Sequence, residues 1–257
     1  MSITNSPPTL EGTDAVAFVQ EVESVFQLFW GGHYEVVKTF FSKPRPREQL
    51  IAWLELQLYK EIHIVPGKAR EIIELYEKLD VEVERGEFEA EVYELADEVQ
   101  HYRRLADVLE LITAQRRPAL DYKATPEQKD LEGVRRKYAQ SNPLVRSIGG
   151  FAPGGGTAFA AAGAMIGGGS VERQLAEAFQ VIYRQELEHY NKNRFVFDRL
   201  ARETDAGCYG EALQYAGELA RQHFLLRNAS FSYPLSPQRV AEIEAGQVDP
   251  YVPPRLY

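Results

Sequence analysis

Two copies of a short pattern, a glutamate followed three positions later by a histidine, are the feature of this sequence that most directly suggests chemistry. The pairs are Glu98 with His101 and Glu186 with His189, and they use two of the five histidines in the 257-residue chain. In a helix, residues three apart lie on the same face, so each pair brings a carboxylate and an imidazole to one level. Carboxylates and imidazoles together are typical ligands of transition metals.

Both pairs interrupt an apolar seam of a predicted helix. Phe179 and Ile182 precede Glu186 at steps of three and four residues, and Leu105 follows His101 at the same spacing. The four polar side chains are therefore predicted to point into the core. A buried carboxylate without a partner costs several kcal/mol, so such a seam needs a neutralising partner, and a metal cation is the simplest one.

Two single glutamates are predicted to complete the set. Glu61 continues a seam through Leu54 and Leu58, and the midpoint between residues 61 and 98 falls at a predicted turn, so the two carboxylates lie level in an antiparallel hairpin. The same argument about a turn near residues 203–207 places Glu218 level with the fourth-helix pair. The predicted metal ligands are Glu61, Glu98, His101, Glu186, His189 and Glu218.

These residues require a mainly helical chain to position them. Apolar spacing predicts helices over 14–41 with an interruption at Gly31 and Gly32, over 47–79 with a bend or break near Pro66 and Gly67, and over 87–112, 170–202 and 210–227. No strand pattern is present. Residues 1–13 are predicted to be a disordered arm, 14–229 a helical domain, and 230–257 a tail packed on its surface. The connection 113–169 is predicted to be a long crossover containing one helix, with its glycine-rich part a linker or lid and a short helical piece near 158–164.

The arrangement resembles the ferritin-like di-iron carboxylate proteins, in which paired helices supply glutamates and Glu-x-x-His patterns. The resemblance covers the four core helices. It implies an all-α, antiparallel four-helix bundle, here with an extra N-terminal helix and the long crossover. It also implies two iron ions, or a manganese and an iron, and an oxidoreductase or oxygenase that activates dioxygen to oxidise a small organic substrate with electrons from a donor.

One departure from that family concerns the order of the ligands. The second Glu-x-x-His pattern lies on the fourth helix, and Glu218 is not followed three residues later by histidine. Either Gln222 or His223 approaches the site, or a metal-binding helix lies within the crossover. Two other functions stay open: a ferroxidase or iron-storage protein, and a metal-free, heme-oxygenase-like or thiaminase-like helical binding protein.

Composition excludes several other classes. The chain has 38 acidic and 29 basic residues, for a net charge of -9, and its basic residues are scattered, which argues against a nucleic-acid partner. No stretch is apolar enough for a membrane span, and no export signal opens the chain. The single cysteine, Cys208, cannot form an internal disulfide, so a cytoplasmic protein is expected. The oligomeric state stays open, with a homodimer among the options.

Overall fold

The computed structural model describes residues 15–256, and within that range it is helical with no β-sheet. The all-α prediction is therefore confirmed, whereas the arm predicted for residues 1–13 lies outside the described residues. The helices are α1 (Ala15–Phe41), α2 (Arg47–His63), α3 (Val65–Tyr76), α4 (Arg85–Thr113), α5 (Pro126–Lys137), α6 (Pro143–Ser147), α7 (Ala152–Gly163), α8 (Ser170–Glu203), α9 (Tyr209–Ser230) and α10 (Pro237–Glu244).

Helix α1 runs without a break through Gly31 and Gly32, where the sequence predicted an interruption. Both glycines are sites of close approach. A Cβ atom on Gly31 would lie 2.2 Å from the carbonyl oxygen of Asp249, and one on Gly32 would lie 2.7 Å from the ring of Phe224. Two glycines cost a helix about 2 kcal/mol relative to alanine. Burial of the aromatic face of α1 outweighs that cost, so the helix continues.

The segment 47–79, for which a bend or break was predicted near Pro66 and Gly67, is broken into two helices, α2 and α3, which separate at Ile64. Pro66 occupies the first turn of α3, where its missing N–H removes no hydrogen bond. The chain then reverses at Asp80, whose φ is 64°, and Arg85 donates to its carboxylate at 2.7 Å. This turn returns α4 along α2, so that Glu61 and the α4 pair face each other.

The glycine-rich crossover differs most from its prediction. Instead of a linker or lid, residues 152–157 begin the buried helix α7, which lies between α1 and α8. The short helical piece predicted near 158–164 is confirmed as the second half of this helix. Its glycines permit this contact: a Cβ atom on Gly154 would lie 2.2 Å from Trp30, and one on Gly163 would lie 2.4 Å from Phe179. The glycine-rich segment therefore allows α7 to pack closely against α1 and α8.

The two long C-terminal helices do not run side by side as a hairpin. α8 packs along α7 and α4, whereas α9 packs along α1 and α5. α10 and the residues after it lie against α1, where the N–H of Tyr251 donates to the carbonyl of Gln27 at 3.0 Å. None of the helices in residues 15–256 is both long and apolar enough to cross a membrane.

Candidate metal centre

Three neighbouring helices bring four of the predicted ligands together. Glu61 comes from α2, Glu98 and His101 from α4, and Glu186 from α8. The Nδ1 atom of His101 lies 3.5 Å from Glu61 Oε2, 3.8 Å from Glu98 Oε2 and 4.0 Å from Glu186 Oε1. Ligand atoms of the first three residues all lie within 4.8 Å of one another, which is close enough to share one ion. We call these four residues the carboxylate cluster.

The imidazole of His101 is oriented for binding through Nδ1. The residue is 0% exposed, and its Nε2 donates to Oε1 of Gln185 at 3.0 Å, so Nδ1 is the ring nitrogen that faces the carboxylates. Nδ1 is buried and has no hydrogen-bond partner in the part of the chain that the structure describes. Metal-binding histidines typically present one nitrogen to the ion while the other donates to a fixed acceptor.

Charge repulsion in the carboxylate cluster is relieved by protons. Burial alone would lower the pKa of His101, but the adjacent Glu61 carboxylate and the charges of Glu186 and Glu98 raise it to about 9. Burial, together with the negative charges of Glu61 and Glu186, raises the pKa of Glu98 well above its ordinary value. Burial also raises the pKa of Glu186. The cluster therefore carries an excess of acid groups that a metal cation would neutralise.

His189 lies beside the carboxylate cluster and makes a different contact. Its Nε2 is 3.0 Å from Oδ2 of Asp97, and the other oxygen of Asp97 accepts from the amide of Gln185. A continuous chain of hydrogen bonds thus joins His101 to His189 through Gln185 and Asp97. The Nδ1 atom of His189 is also buried without a described partner. Both histidines therefore direct Nε2 to this chain and leave Nδ1 free.

The structure corrects the placement of Glu218. Its carboxylate accepts from Lys137 Nζ at 2.7 and 2.9 Å and from Gln214 at 2.9 Å, toward the end of α5. Glu218 would lie level with Glu186 and His189 only if α8 and α9 were adjacent antiparallel helices. Because α9 packs on α1 and α5 instead, Glu218 faces Lys137 and not the carboxylate cluster.

The two residues considered as replacements for a last-helix histidine are also bound elsewhere. His223 Nε2 lies 3.2 Å from a guanidinium nitrogen of Arg135, and the amide of Gln222 reaches the carbonyl of Glu127 at 3.5 Å. Neither side chain joins the carboxylate cluster.

Sequence reasoning missed Glu94, a buried carboxylate one turn before Glu98 on the same seam of α4. It is bound by Lys68 and Lys192, the latter at 2.6 Å. Although burial opposes ionisation, the charges of these lysines and of His189 lower its pKa to about 2. Extending the apolar spacing of α4 by one turn would have identified Glu94 as inward-facing. Its partners Lys68 and Lys192 come from α3 and α8, and no spacing in the sequence indicates that they bind it.

A cavity of about 690 Å³ opens beside the carboxylate cluster, and charged side chains of both signs line it. The acidic ones are Glu61, Glu98 and Glu186 of the cluster and four further glutamates, Glu71, Glu91, Glu94 and Glu132. The basic ones are Lys60, Lys68, Arg135, Arg146 and Arg227, and the imidazoles of His33, His63 and His223 also line the cavity. No sequence pattern predicted this arrangement, because the basic residues come from separate helices.

Crowding of positive charge affects the ionisation of these groups. Burial and the nearby Arg227 lower the pKa of Lys60 to about 7, and burial lowers the pKa of Arg227 to about 10. Burial and neighbouring cations hold the pKa of His33 and His223 well below its ordinary value, so both imidazoles are neutral near pH 7. The negative charges of Glu61 and Glu186 act in the opposite direction and raise the pKa of Lys60 and of Arg227, but less than burial lowers them.

Comparison with known proteins found no match: no protein-family model, no curated protein and no solved structure is similar to this chain. The function is therefore inferred from the geometry of the site.

Proposed function

We propose that this protein is a metal-dependent oxidoreductase whose metal is bound by Glu61, Glu98, His101 and Glu186. The observation that carries the proposal is the buried Nδ1 of His101, which has no hydrogen-bond partner among residues 15–256 and lies within 4.0 Å of three carboxylates from three helices. A ferritin-like arrangement of the helices that carry these ligands, and a pair of iron ions or a manganese and an iron, belong to the same proposal.

The donor set supports iron or manganese. Carboxylate oxygens and one imidazole nitrogen are the ligands those metals share, and the absence of a thiolate among the four makes a structural zinc site a poorer fit. A second ion needs another donor. The free Nδ1 of His189, one turn along α8 from Glu186, is the group that would supply it. When bound, such a metal supplies redox chemistry with dioxygen.

The surrounding residues fix the ligands and make room for a substrate. Gln185 holds the ring of His101, and Gln57 donates to Glu61 while accepting from Arg227 at 3.1 Å. These contacts leave the ligating atoms little freedom to turn away. The cavity of about 690 Å³ beside them lies in the size range of small-molecule sites, which favours oxidation of an organic substrate over iron storage.

A metal-free binding protein is the second candidate, and one observation favours it. Glu61 and His101 neutralise each other as an ion pair, and a protonated Glu98 beside them needs no cation. Both proposals use the same residues, so metal content separates them.

The test is metal loading of matched variants. Wild-type protein, Glu98→Gln, His101→Ala and Glu218→Gln are stripped with chelator, loaded anaerobically with ferrous iron, desalted and assayed by mass spectrometry for bound metal. We expect iron retained by the wild type and by Glu218→Gln, and lost from the other two. Circular dichroism confirms that each variant is folded.

Oxygen consumption by the ferrous-loaded wild type, absent from His101→Ala, would then support oxidation chemistry. Folded wild type that retains no iron or manganese would overturn the metal site and favour the metal-free alternative. Loss of metal from Glu218→Gln to the same extent as from His101→Ala would show that the ligands are wrongly placed.

A further inference from the structure

Four basic side chains line the cavity without forming an ion pair among the described residues. Lys60, Arg135, Arg146 and Arg227 all line the cavity, and in the range 15–256 none of them forms an ion pair with a carboxylate. Lys192, a half-buried cation outside this group, pairs with Glu91 and Glu94. Of the four cavity cations, Arg227 is buried and Lys60 half-buried, whereas Arg135 and Arg146 are exposed. Cations that line one cavity repel one another, and a bound anion would relieve that repulsion.

Arg227 is the most buried of these cations. The residue is 6% exposed, its guanidinium carbon lies 4.2 Å from the centre of the Phe159 ring, and one nitrogen donates to Gln57 at 3.1 Å. The Nε atom of Arg227 has no hydrogen-bond partner among residues 15–256. A buried guanidinium with an unused donor costs free energy that a ligand oxygen would recover.

Arg135 reaches the same space from α5. A guanidinium nitrogen lies 3.2 Å from His223 Nε2, and the neutral imidazole accepts this hydrogen bond. The other N–H groups of Arg135 and the ammonium group of Lys60 have no hydrogen-bond partner among residues 15–256. Lys60, Arg135 and Arg227 all line this one cavity.

Small residues keep this part of the protein open. Gly155 and Gly156 of α7 line the cavity, and a Cβ atom on Gly156 would lie 2.5 Å from the Glu186 carboxylate. A larger residue there would displace a member of the carboxylate cluster.

We infer that Lys60, Arg135, Arg146 and Arg227 bind the oxyanion of a small molecule, a carboxylate or a phosphate, and so direct the rest of that molecule toward the carboxylate cluster. Guanidinium groups suit this role because their paired donors match two oxygens of a carboxylate or phosphate. The inference rests on the proposed function, since it names the class of substrate for the proposed site. It also implies that metal and anion strengthen each other's binding, because an unneutralised carboxylate cluster repels an anion.

The test is calorimetric titration of chelator-stripped and Mn(II)-loaded protein with two probes, succinate and inorganic phosphate. Arg135→Gln and Lys60→Gln remove a cavity cation. Arg136→Gln is the matched control, because Arg136 is the next residue of α5, is not among the residues that line the cavity, and pairs with Glu132 at 3.9 Å. We expect affinity for the preferred probe to fall by about tenfold or more in the first two variants and to change less than about twofold in the control.

The result identifies the anion and separates the two proposals. Tighter binding of succinate indicates a carboxylate substrate, and tighter binding of phosphate indicates a phosphate ester. Anion binding by protein that takes up no metal would support the anion site and overturn the proposed function. Metal uptake without binding of either probe, or an equal loss of affinity in Arg136→Gln, would overturn the anion site alone.

Discussion

Glu94, Glu98 and Glu218 show how differently three glutamates are neutralised in one protein. Glu94 is buried and bound by two lysines, Glu98 is nearly buried among other carboxylates, and Glu218 forms an ion pair with Lys137 near the surface. Spacing along a helix placed Glu98 correctly, whereas the partner of each glutamate depends on residues from other helices. The chemistry of each carboxylate is therefore decided by tertiary contacts.

Glu94 is expected to make stability depend on acid. Its pKa is about 2 in the folded protein, below that of an unfolded glutamate, so its ionised form stabilises the fold above about pH 4.5. That contribution, at most about 3 kcal/mol, is lost as pH falls from 4.5 toward 2. Glu94→Gln should lower the free energy of unfolding at pH 7 and differ little from the wild type near pH 2. Urea unfolding across this range measures the difference.

The control for this experiment is Glu89→Gln, an exposed position on the same helix. A difference between wild type and Glu94→Gln that stays constant from pH 7 to pH 2 would show that Glu94 does not carry the acid dependence.

Four of the six predicted ligands could be brought together from the sequence alone. The apolar periodicity of each helix predicted that Glu61, Glu98, His101 and Glu186 face inward. The turn at Asp80 determined which residues of α2 and α4 lie at the same level. The prediction for Glu218 was wrong because it assumed that α8 and α9 form an antiparallel hairpin, which they do not. The cationic cavity wall was not predictable from spacing, since its members share no helix face.

The first half of α7 differs from its prediction, whereas its second half is the helical piece predicted near 158–164. Glycine usually indicates flexibility or a turn, and a run of glycines before a small-residue segment predicted a linker. In the structure the same residues let a helix approach Trp30 and Phe179 closely. By contrast, α8 begins at the predicted residue and ends within one of it, because a long seam with a consistent period is the clearest signal a sequence carries.

Two glycine substitutions should change stability in opposite directions. A Cβ atom on Gly154 would lie 2.2 Å from the buried Trp30 ring, so Gly154→Ala should destabilise the protein by about 1–3 kcal/mol. Gly217 lies within α9 with nothing within 4 Å of an added Cβ atom. Gly217→Ala should stabilise by about 0.5–1 kcal/mol by reducing the freedom of the unfolded chain. Thermal and urea unfolding of both variants would show whether the signs differ, and two stabilised variants would contradict close packing of α7.

Glu23 connects three distant parts of the chain. This carboxylate of α1 is 3% exposed, accepts from the hydroxyl of Tyr190 at 3.0 Å, and pairs with Arg194 of α8 and with Arg255 near the C-terminal end. One buried charge therefore fixes the first described helix to α8 and to the residues after α10.

Removing that charge should weaken the whole fold. Glu23→Gln keeps the shape of the side chain but replaces charged hydrogen bonds with neutral ones, so the free energy of unfolding should fall by about 2 kcal/mol. Glu21→Gln, an exposed position two residues earlier, should change it by less than about 0.5 kcal/mol. Urea unfolding followed by circular dichroism compares them. Equal effects would mean that the Glu23 contacts contribute nothing beyond surface charge.

The contacts of α1 also have a consequence for synthesis. Its aromatic face, which includes Phe18, Phe26 and Trp30, is buried by α7, α8 and α9, all of which lie more than a hundred residues later in the chain. While the ribosome is still translating those helices, the nascent chain exposes this face to the cell. A chaperone that protects this face would therefore act on the N-terminal part of the chain, before α8 and the candidate ligand Glu186 are made.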